Sequence, residues 1–306
     1  MASSVVGTPE DSQKGIRFSG HRLPSSTHVG RVRLAVSNLS RSIAFYRDVI
    51  GLDVLKQADP FAQLGAHGSD QVLLELREMP GVKPIAERSR LGLYHTAFLL
   101  PSREDLSRFV RHLRRLGVGF GAGDHAVSEA LYLVDPDGLE VEVYADRPRA
   151  QWPYAGGKLR MGTQAVRFET LPTVEEGSWK GAPLGTTVGH VHLYVGDLEA
   201  AAQFYCAGLG LDITVQIPSA LFTSAGGYHH HVGLNVWAAG SPLASDQDAR
   251  LLFWELVLPD ASQADQVAGR LLQAGYAEKK GVGGARAFTD ASGITVELVA
   301  ESQGFL

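Results

Sequence analysis

Cysteine occurs once, at Cys206. That excludes an intrachain disulfide and argues against a cysteine-based metal site. No apolar run approaches the ~20 residues that a membrane-spanning helix needs. The opening stretch MASSVVGTPEDSQKGIRFSG lacks the apolar centre of a secretory signal. Basic residues are not in excess, and the formal net charge is −5. Nothing in that balance favours nucleic acid or an anionic membrane as a partner. A cytoplasmic protein is the default expectation. What remains is ordinary globular composition, 44% apolar and 20% charged over 306 residues, enough for about two domains. Residues 1–27 are polar and Ser/Gly-rich and read as a flexible N-terminal segment.

An internal repeat organises the rest. Residues 30–54, GRVRLAVSNLSRSIAFYRDVIGLDV, align without a gap on 189–213, GHVHLYVGDLEAAAQFYCAGLGLDI. Ten positions are identical at an offset of 159: Gly30, Val32, Leu34, Val36, Leu39, Phe45, Tyr46, Gly51, Leu52 and Asp53, each with its copy. Each copy predicts a strand, an N-cap at Asn38 or Asp197, an amphipathic helix with its Phe-Tyr pair inward, and a glycine stop at Gly51 or Gly210. Three further strands follow, the last being QVLLELRE in the first copy and HHHVGLNVW in the second.

A second unit of the same shape follows in each half. It begins LYHTAFLLPSREDLSRFVRHLRRLGVGF in the first and RLLFWELVLPDASQADQVAGRLLQAGYAE in the second. Each ends in a hairpin, ALYLVDPDGLEVEVYAD and RAFTDASGITVELVAE, turned by Asp and Gly. The expectation is an α+β chain of four β-α-β-β-β units, two per domain. The domains are set at 28–146 and 186–302, with a Pro- and Gly-rich linker at 147–185. Parts of that linker, around Trp152 and Phe168, are expected to pack on a domain surface.

Paired units carrying V-x-L-x-V-x-[DN]-L, then FY and GL, resemble the vicinal oxygen chelate superfamily, which includes glyoxalase I, bleomycin-resistance proteins and extradiol dioxygenases. The stretches GLYHTAFLLPSR, DHAVSEALYLVDPDG, VYADRPRAQWP and GGYHHHVGLNVW are similar to its two-domain, catechol-2,3-dioxygenase-like branch. The resemblance implies two tandem glyoxalase-like domains with cup-shaped mixed sheets. It also implies a divalent ion held by inward residues on their strands, and one live and one silent site.

Matched to that pattern, the second half offers His190 on its first strand and Glu297 on its last. Between them lies His229-His230-His231. Strand alternation places His229 and His231 on one face and His230 on the other. Glu75 occupies the family's fourth-strand ligand position in the first half, and it aligns with Gly233 or Asn235, which share the face of His231. The expected metal ligands are therefore His190, His231 and Glu297, with His229 and His230 as alternatives for the middle ligand. Two imidazoles and a carboxylate suit Fe(II), or alternatively Mn(II), and leave positions for a chelating aromatic diol and O2. Zinc or nickel would point away from oxygen chemistry. His229 or His230 is a candidate acid/base. Tyr228 reads either as an oxyanion donor or as a packing residue at a strand edge. One departure stands out: the resemblance places the second histidine on the fifth strand, and that strand reads LLFWELVLP, with Phe253 or Trp254 at the place.

The first half holds Arg31, Glu75, His95 and Glu142 at the matching positions. Arg31 has no lone pair for a metal and is expected to pair with Glu75 or Glu142, leaving that half metal-free. His192 and Cys206 read as structural, and His125 and Glu129 as ordering a loop. The resulting expectation is an extradiol-type ring-cleaving dioxygenase acting on an aromatic diol. A glyoxalase-type lyase or isomerase is one alternative, and a metal-free binder of a planar molecule is the other. A homo-oligomer through sheet edges is compatible with the fold.

Overall fold

Capping starts each repeated helix where the sequence places it. In the computed structural model, which describes residues 20–301, the Asn38 side chain accepts from the Arg41 amide and Asp197 accepts from the Ala200 amide. Each satisfies an amide that the first helical turn leaves without a partner. The helices Leu39–Ala44 and Leu198–Ala202 widen into π turns, Phe45–Ile50 and Gln203–Gly208. They stop at Gly51 and Gly210, where φ is +91° and +97°, a backbone region that a Cβ disfavours. Tyr46 and Tyr205 are buried, and their hydroxyls donate to Asp135 and Asp290, each at 3.1 Å. Of the expected flexible segment 1–27, residues 1–19 lie outside the described residues. Within the rest, Leu23 is buried and its amide binds the Gly210 carbonyl.

Four units of four main strands follow one another. The first has His28–Val36, Asp53–Ala58, Phe61–Gly65 and Val72–Glu78. The second has Gly92–Leu99, Gly121–Asp124, Ser128–Val134 and Glu140–Asp146. The third has Thr187–Tyr194, Asp212–Ile217, Ala220–Ser224 and Val232–Asn235. The fourth has Arg250–Leu258, Glu278–Lys280, Arg286–Thr289 and Thr295–Ala300. They build two curled eight-stranded mixed sheets, the α+β arrangement the repeat implies. Apolar residues of both sheets and of the helices meet in one core that includes Val32, Phe109, Phe204 and Trp254.

The partnership of the units differs from the expectation. The first unit does not pair with the second inside 28–146, nor the third with the fourth inside 186–302. His28–Val36 runs antiparallel to Arg250–Leu258 of the fourth unit, and Thr187–Tyr194 runs antiparallel to Gly92–Leu99 of the second. Adjacency in sequence makes the neighbouring pairing the simple choice. In a duplicated chain, however, every unit offers the same first-strand edge, and either partnership satisfies its hydrogen bonds. Neighbouring units remain tied on the helix side, since Tyr46 reaches Asp135 and Tyr205 reaches Asp290.

The segment 147–185 is packed against these sheets. Trp152 is buried beside Val127 and Leu159, and the Phe168 ring meets Phe120 edge-on at 6.2 Å. The connectors after the first and third units also touch, through bridges between Lys83 and Asp248 and between Leu91 and Leu243. Arg90 forks onto the Asp248 carboxylate at 2.8 and 3.0 Å. This guanidinium, helped by Ser245, holds the Asp248 carboxyl well below the usual carboxylate range. A depressed folded-state pKa contributes stability above the unfolded value of about 3.9 and loses it as pH falls further. Asp248→Asn is therefore expected to lower the melting temperature at pH 7, with the gap to the parent closing below about pH 4. An equal gap at pH 3 and pH 7 would refute this.

Candidate metal centre

Three ligand-type side chains converge in the sheet of the second and third units. Register explains why. Ala97, on Gly92–Leu99, lies opposite His190 on one neighbouring strand and Glu142 on the other. His190, Ala97 and Glu142 thus form a row across the sheet. His95 lies two residues along the middle strand, on the same face. Alanine at the centre of the row leaves the space between its neighbours free of side chain. One ligand atom each from His95, Glu142 and His190 lies within 4.8 Å of the others, and all three residues are buried. A bulge at Gly189 sets His190, and a Cβ there would collide with the Tyr144 hydroxyl.

The electrostatics are those of a coupled, dry cluster. Glu142 Oε2 lies 3.0 Å from His95 Nε2 and 3.2 Å from His190 Nε2. Burial alone would raise the Glu142 carboxyl, but the two imidazoles hold it well below its ordinary range. Burial opposes charge on His95 as well, yet contact with Glu140 and Glu142 pushes its pKa up to about 9. His190 is taken down to about 4, by burial first and then by the neighbouring histidines, against the pull of Glu142. His95 Nε2 and His190 Nδ1 are buried without a hydrogen-bond partner among the described residues. His95 Nε2 faces the Glu142 carboxylate without hydrogen-bond geometry, a placement that suits an ion, while His190 Nε2 hydrogen-bonds the same oxygen. Two imidazole nitrogens and one carboxylate oxygen match a divalent transition metal.

The fourth-strand position is vacant of ligand atoms. Arg33 is in register with Glu75, and its copy His192 is in register with Gly233. Of the two alignments open in the sequence, Gly233 is thus the counterpart of Glu75. A Cβ at Gly233 would press on the His192 ring at 2.7 Å. Above the cluster opens a pocket of ≈ 290 Å³ lined by Tyr94, His95, Tyr132, Glu142, His192, Phe222, His230 and Trp237 among others. On its wall, His125 Nε2 and the Tyr132 hydroxyl are 2.7 Å apart. His125 Nδ1 also lies 2.9 Å from the Gly162 carbonyl, which anchors this wall to the segment 147–185.

Of the expected ligands, His190 is in the cluster, while His231 and Glu297 are not. Residues 225–231 form an irregular turn, and the strand begins only at Val232. Alternation cannot be counted back through that turn. His230 therefore lines the pocket, its ring centroid 4.0 Å from that of His190. His231 stacks on Tyr228 and accepts the Ala225 amide. Burial holds His230 well below the ordinary histidine range and takes His231 down to about 3. His229 lies behind His230, bonded to Asp146. Tyr228 packs beside Trp152 and hydrogen-bonds the Tyr144 hydroxyl at 2.7 Å, away from the pocket lining. The ligands not assigned from sequence, His95 and Glu142, stand at ligand-type positions of a half read as metal-free. His192, read as structural, and His125, read as a loop residue, line the pocket.

Glu297 belongs to the other sheet, where it accepts the Val282 amide at 2.9 Å. There Arg31 stands in the place of His190, Phe253 in that of His95, and Glu255 in that of Ala97. Arg31 binds Glu255 at 2.6 Å and Glu75 at 3.3 Å, and Arg33 binds Glu75 at 2.6 Å. The expected Arg31–Glu75 pair is present, and the cup is filled by charges that neutralise one another.

A family model described as the Glyoxalase/Bleomycin resistance protein/Dioxygenase superfamily matches residues 28–143 and 187–298. A catechol-2,3-dioxygenase of Bacillus subtilis is 46% identical over 256 residues, spanning 82% of this chain and 89% of that protein. A metallothiol transferase FosB of Staphylococcus haemolyticus is 26% identical over 119 residues, 38% of this chain and 81% of that one. Among solved structures, a putative dioxygenase of B. subtilis aligns with a TM-score of 0.64 at 15% identity, covering 93% of this chain and 87% of that one. Glyoxalase I of Zea mays aligns with a TM-score of 0.55 at 17% identity, covering 90% and 92%. At these identities the two structures speak to the fold.

Proposed function

The chain belongs to the Glyoxalase/Bleomycin resistance protein/Dioxygenase superfamily, and on that premise we propose that it is an extradiol-type dioxygenase that opens the ring of a catechol-like aromatic diol with O2. The proposed ion is Fe(II), or alternatively Mn(II), held by His95, His190 and Glu142.

The observation that carries this reading is the three-donor set with Gly233 at the fourth-strand position. Three protein donors leave about half the positions of a six-coordinate ion open. Bound there, the ion would supply the redox link between a chelated diol and O2. The chain supplies the rest. Aromatic walls from Phe222 and Trp237 suit a flat ring of modest size. His230 Nε2 makes no hydrogen bond among the described residues, and the ring borders the pocket. It is placed to take a diol proton as general base. The Tyr132 hydroxyl donates to His125 Nε2, whose other nitrogen donates to the Gly162 carbonyl, and its oxygen lone pairs are left to accept a hydrogen bond from a substrate hydroxyl. A missing fifth-strand histidine and a fourth-strand ligand would favour a lyase or isomerase. With His95 in the set and Gly233 at the fourth strand, both weigh the other way. The similarity to the B. subtilis catechol-2,3-dioxygenase supports the same direction. A cytoplasmic location and assembly through sheet edges remain part of the proposal. Among the described residues no helix is long and apolar enough to cross a membrane.

The test is elemental mass spectrometry on protein purified anaerobically without chelator or histidine-affinity step, followed by O2 uptake with catechols. Iron or manganese near one per chain, with catechol-dependent uptake, is the expected outcome. Zinc, nickel or cobalt at that level, with no uptake, would favour the lyase or isomerase. No metal even after Fe(II) loading would leave the binding protein.

A further inference from the structure

We propose that Asp146, acting through His229, is a positioning residue that fixes which nitrogen of His230 carries its proton and keeps a bare Nε2 turned into the pocket. This rests on the ring-cleavage reading for its use, but not for its geometry.

The three side chains form a line from the protein's edge to the pocket. The Asp146 side chain is 25% exposed, and its Oδ1 lies 2.9 Å from His229 Nε2. His229 is fully buried, and its Nδ1 lies 2.7 Å from His230 Nδ1. His230 borders the pocket. The Tyr228 hydroxyl lies 2.7 Å from that of Tyr144, beside this line. An ionised Asp146 side chain has only acceptors to offer. It takes the Nε2 proton of His229. The other nitrogen of a neutral His229 then has only a lone pair to offer, so the 2.7 Å contact needs the proton on His230 Nδ1. His230 Nε2 is left bare on the pocket side. Without the carboxylate, the proton of His229 can move to Nδ1. That would reverse the contact and put the His230 proton on Nε2, where it blocks a base. The aromatic packing holds the line straight: Tyr228 lies 4.0 Å from the His229 ring centroid and Trp152 5.4 Å.

Histidine-selective 15N NMR on the full chain loaded with Zn(II), a diamagnetic ion, reads the tautomer directly. The expected result is a protonated Nδ1 and a bare Nε2 on His230, with that pattern lost in Asp146→Ala and retained in Asp146→Asn, whose amide oxygen can still accept. Steady-state kinetics with Fe(II) and catechol should show kcat reduced roughly tenfold to a hundredfold in Asp146→Ala, with KM and metal content unchanged, and largely restored in Asp146→Asn. A structural role would instead lower metal content or raise KM. A protonated Nε2 on His230 in the parent protein, or an Asp146→Ala variant with the parental 15N pattern, would overturn the proposal. If the parent consumes no O2 with any catechol, the function reading falls, while the 15N pattern still decides this one.

Discussion

His95→Ala, His190→Ala and Glu142→Ala each reduce bound iron from about one per chain to a trace, and catechol-dependent O2 uptake falls by ~10³-fold or more. A metal's contribution of several kcal/mol, at about 1.4 kcal/mol per tenfold, sets that scale. Each variant removes one of three donors that lie within 4.8 Å of one another. The remaining pair offers two donors where the cluster offers three. Glu297→Gln and His231→Ala, by contrast, leave iron content unchanged, because Glu297 caps Val282 in the other sheet and His231 holds the Ala225 amide. Elemental analysis of the five variants decides it. Iron retained in His95→Ala, or lost in Glu297→Gln, would defeat the assignment.

The second large effect is on stability and lies in the filled cup. Glu75 is 4% exposed and receives Arg33 at 2.6 Å, Arg31 at 3.3 Å and the Gln63 amide at 3.2 Å. Among the described residues, Arg33 has no second carboxylate at ion-pair distance, and its other support is the Phe253 ring at 4.7 Å. Glu75→Leu leaves a buried guanidinium uncompensated and should cost about 3–5 kcal/mol. Adding Arg33→Met should recover much of that, since an apolar pair replaces the ionic one without stranding a charge. Urea unfolding midpoints measure both. A loss under 1 kcal/mol in Glu75→Leu, or a further loss in the double variant, would show that these charges are not mutually dependent. Metal content stays unchanged in either variant, because this cup is not the one that holds the cluster.

Much of this was legible in the sequence. The offset of 159, the caps at Asn38 and Asp197 and the glycine stops at Gly51 and Gly210 specify the repeated unit, because they are local chemistry. The place of His190 on the first strand was legible from its match to the family pattern. The rest of the site was not, because which strand edges meet is a property of the whole chain. Yet a hint was present. One half carries a first-strand histidine, His190, with no fifth-strand partner. The other carries His95 and Glu142 with Arg31 in place of a first-strand histidine. Each half-set supplies what the other lacks. His231 was misplaced for a local reason, since a period of two holds only inside a strand and the histidine triplet precedes one.

The pairing of units across the two sequence halves has a consequence for symmetry. Two separate copies of a half-chain, associated through the same first-strand edges, would have built two identical cups related by a twofold axis. Any substitution would then have struck both cups at once, and an arginine at the His190 position would have ended metal binding altogether. Joining the copies through residues 147–185 makes the two cups independent positions in one gene. One could keep its three donors while the other, with Arg31 and Phe253 at two of the ligand positions and Glu255 where the first has Ala97, became a brace. The filled cup is the record of that broken symmetry, and the His95–Glu142–His190 cluster is what the break left free to specialise.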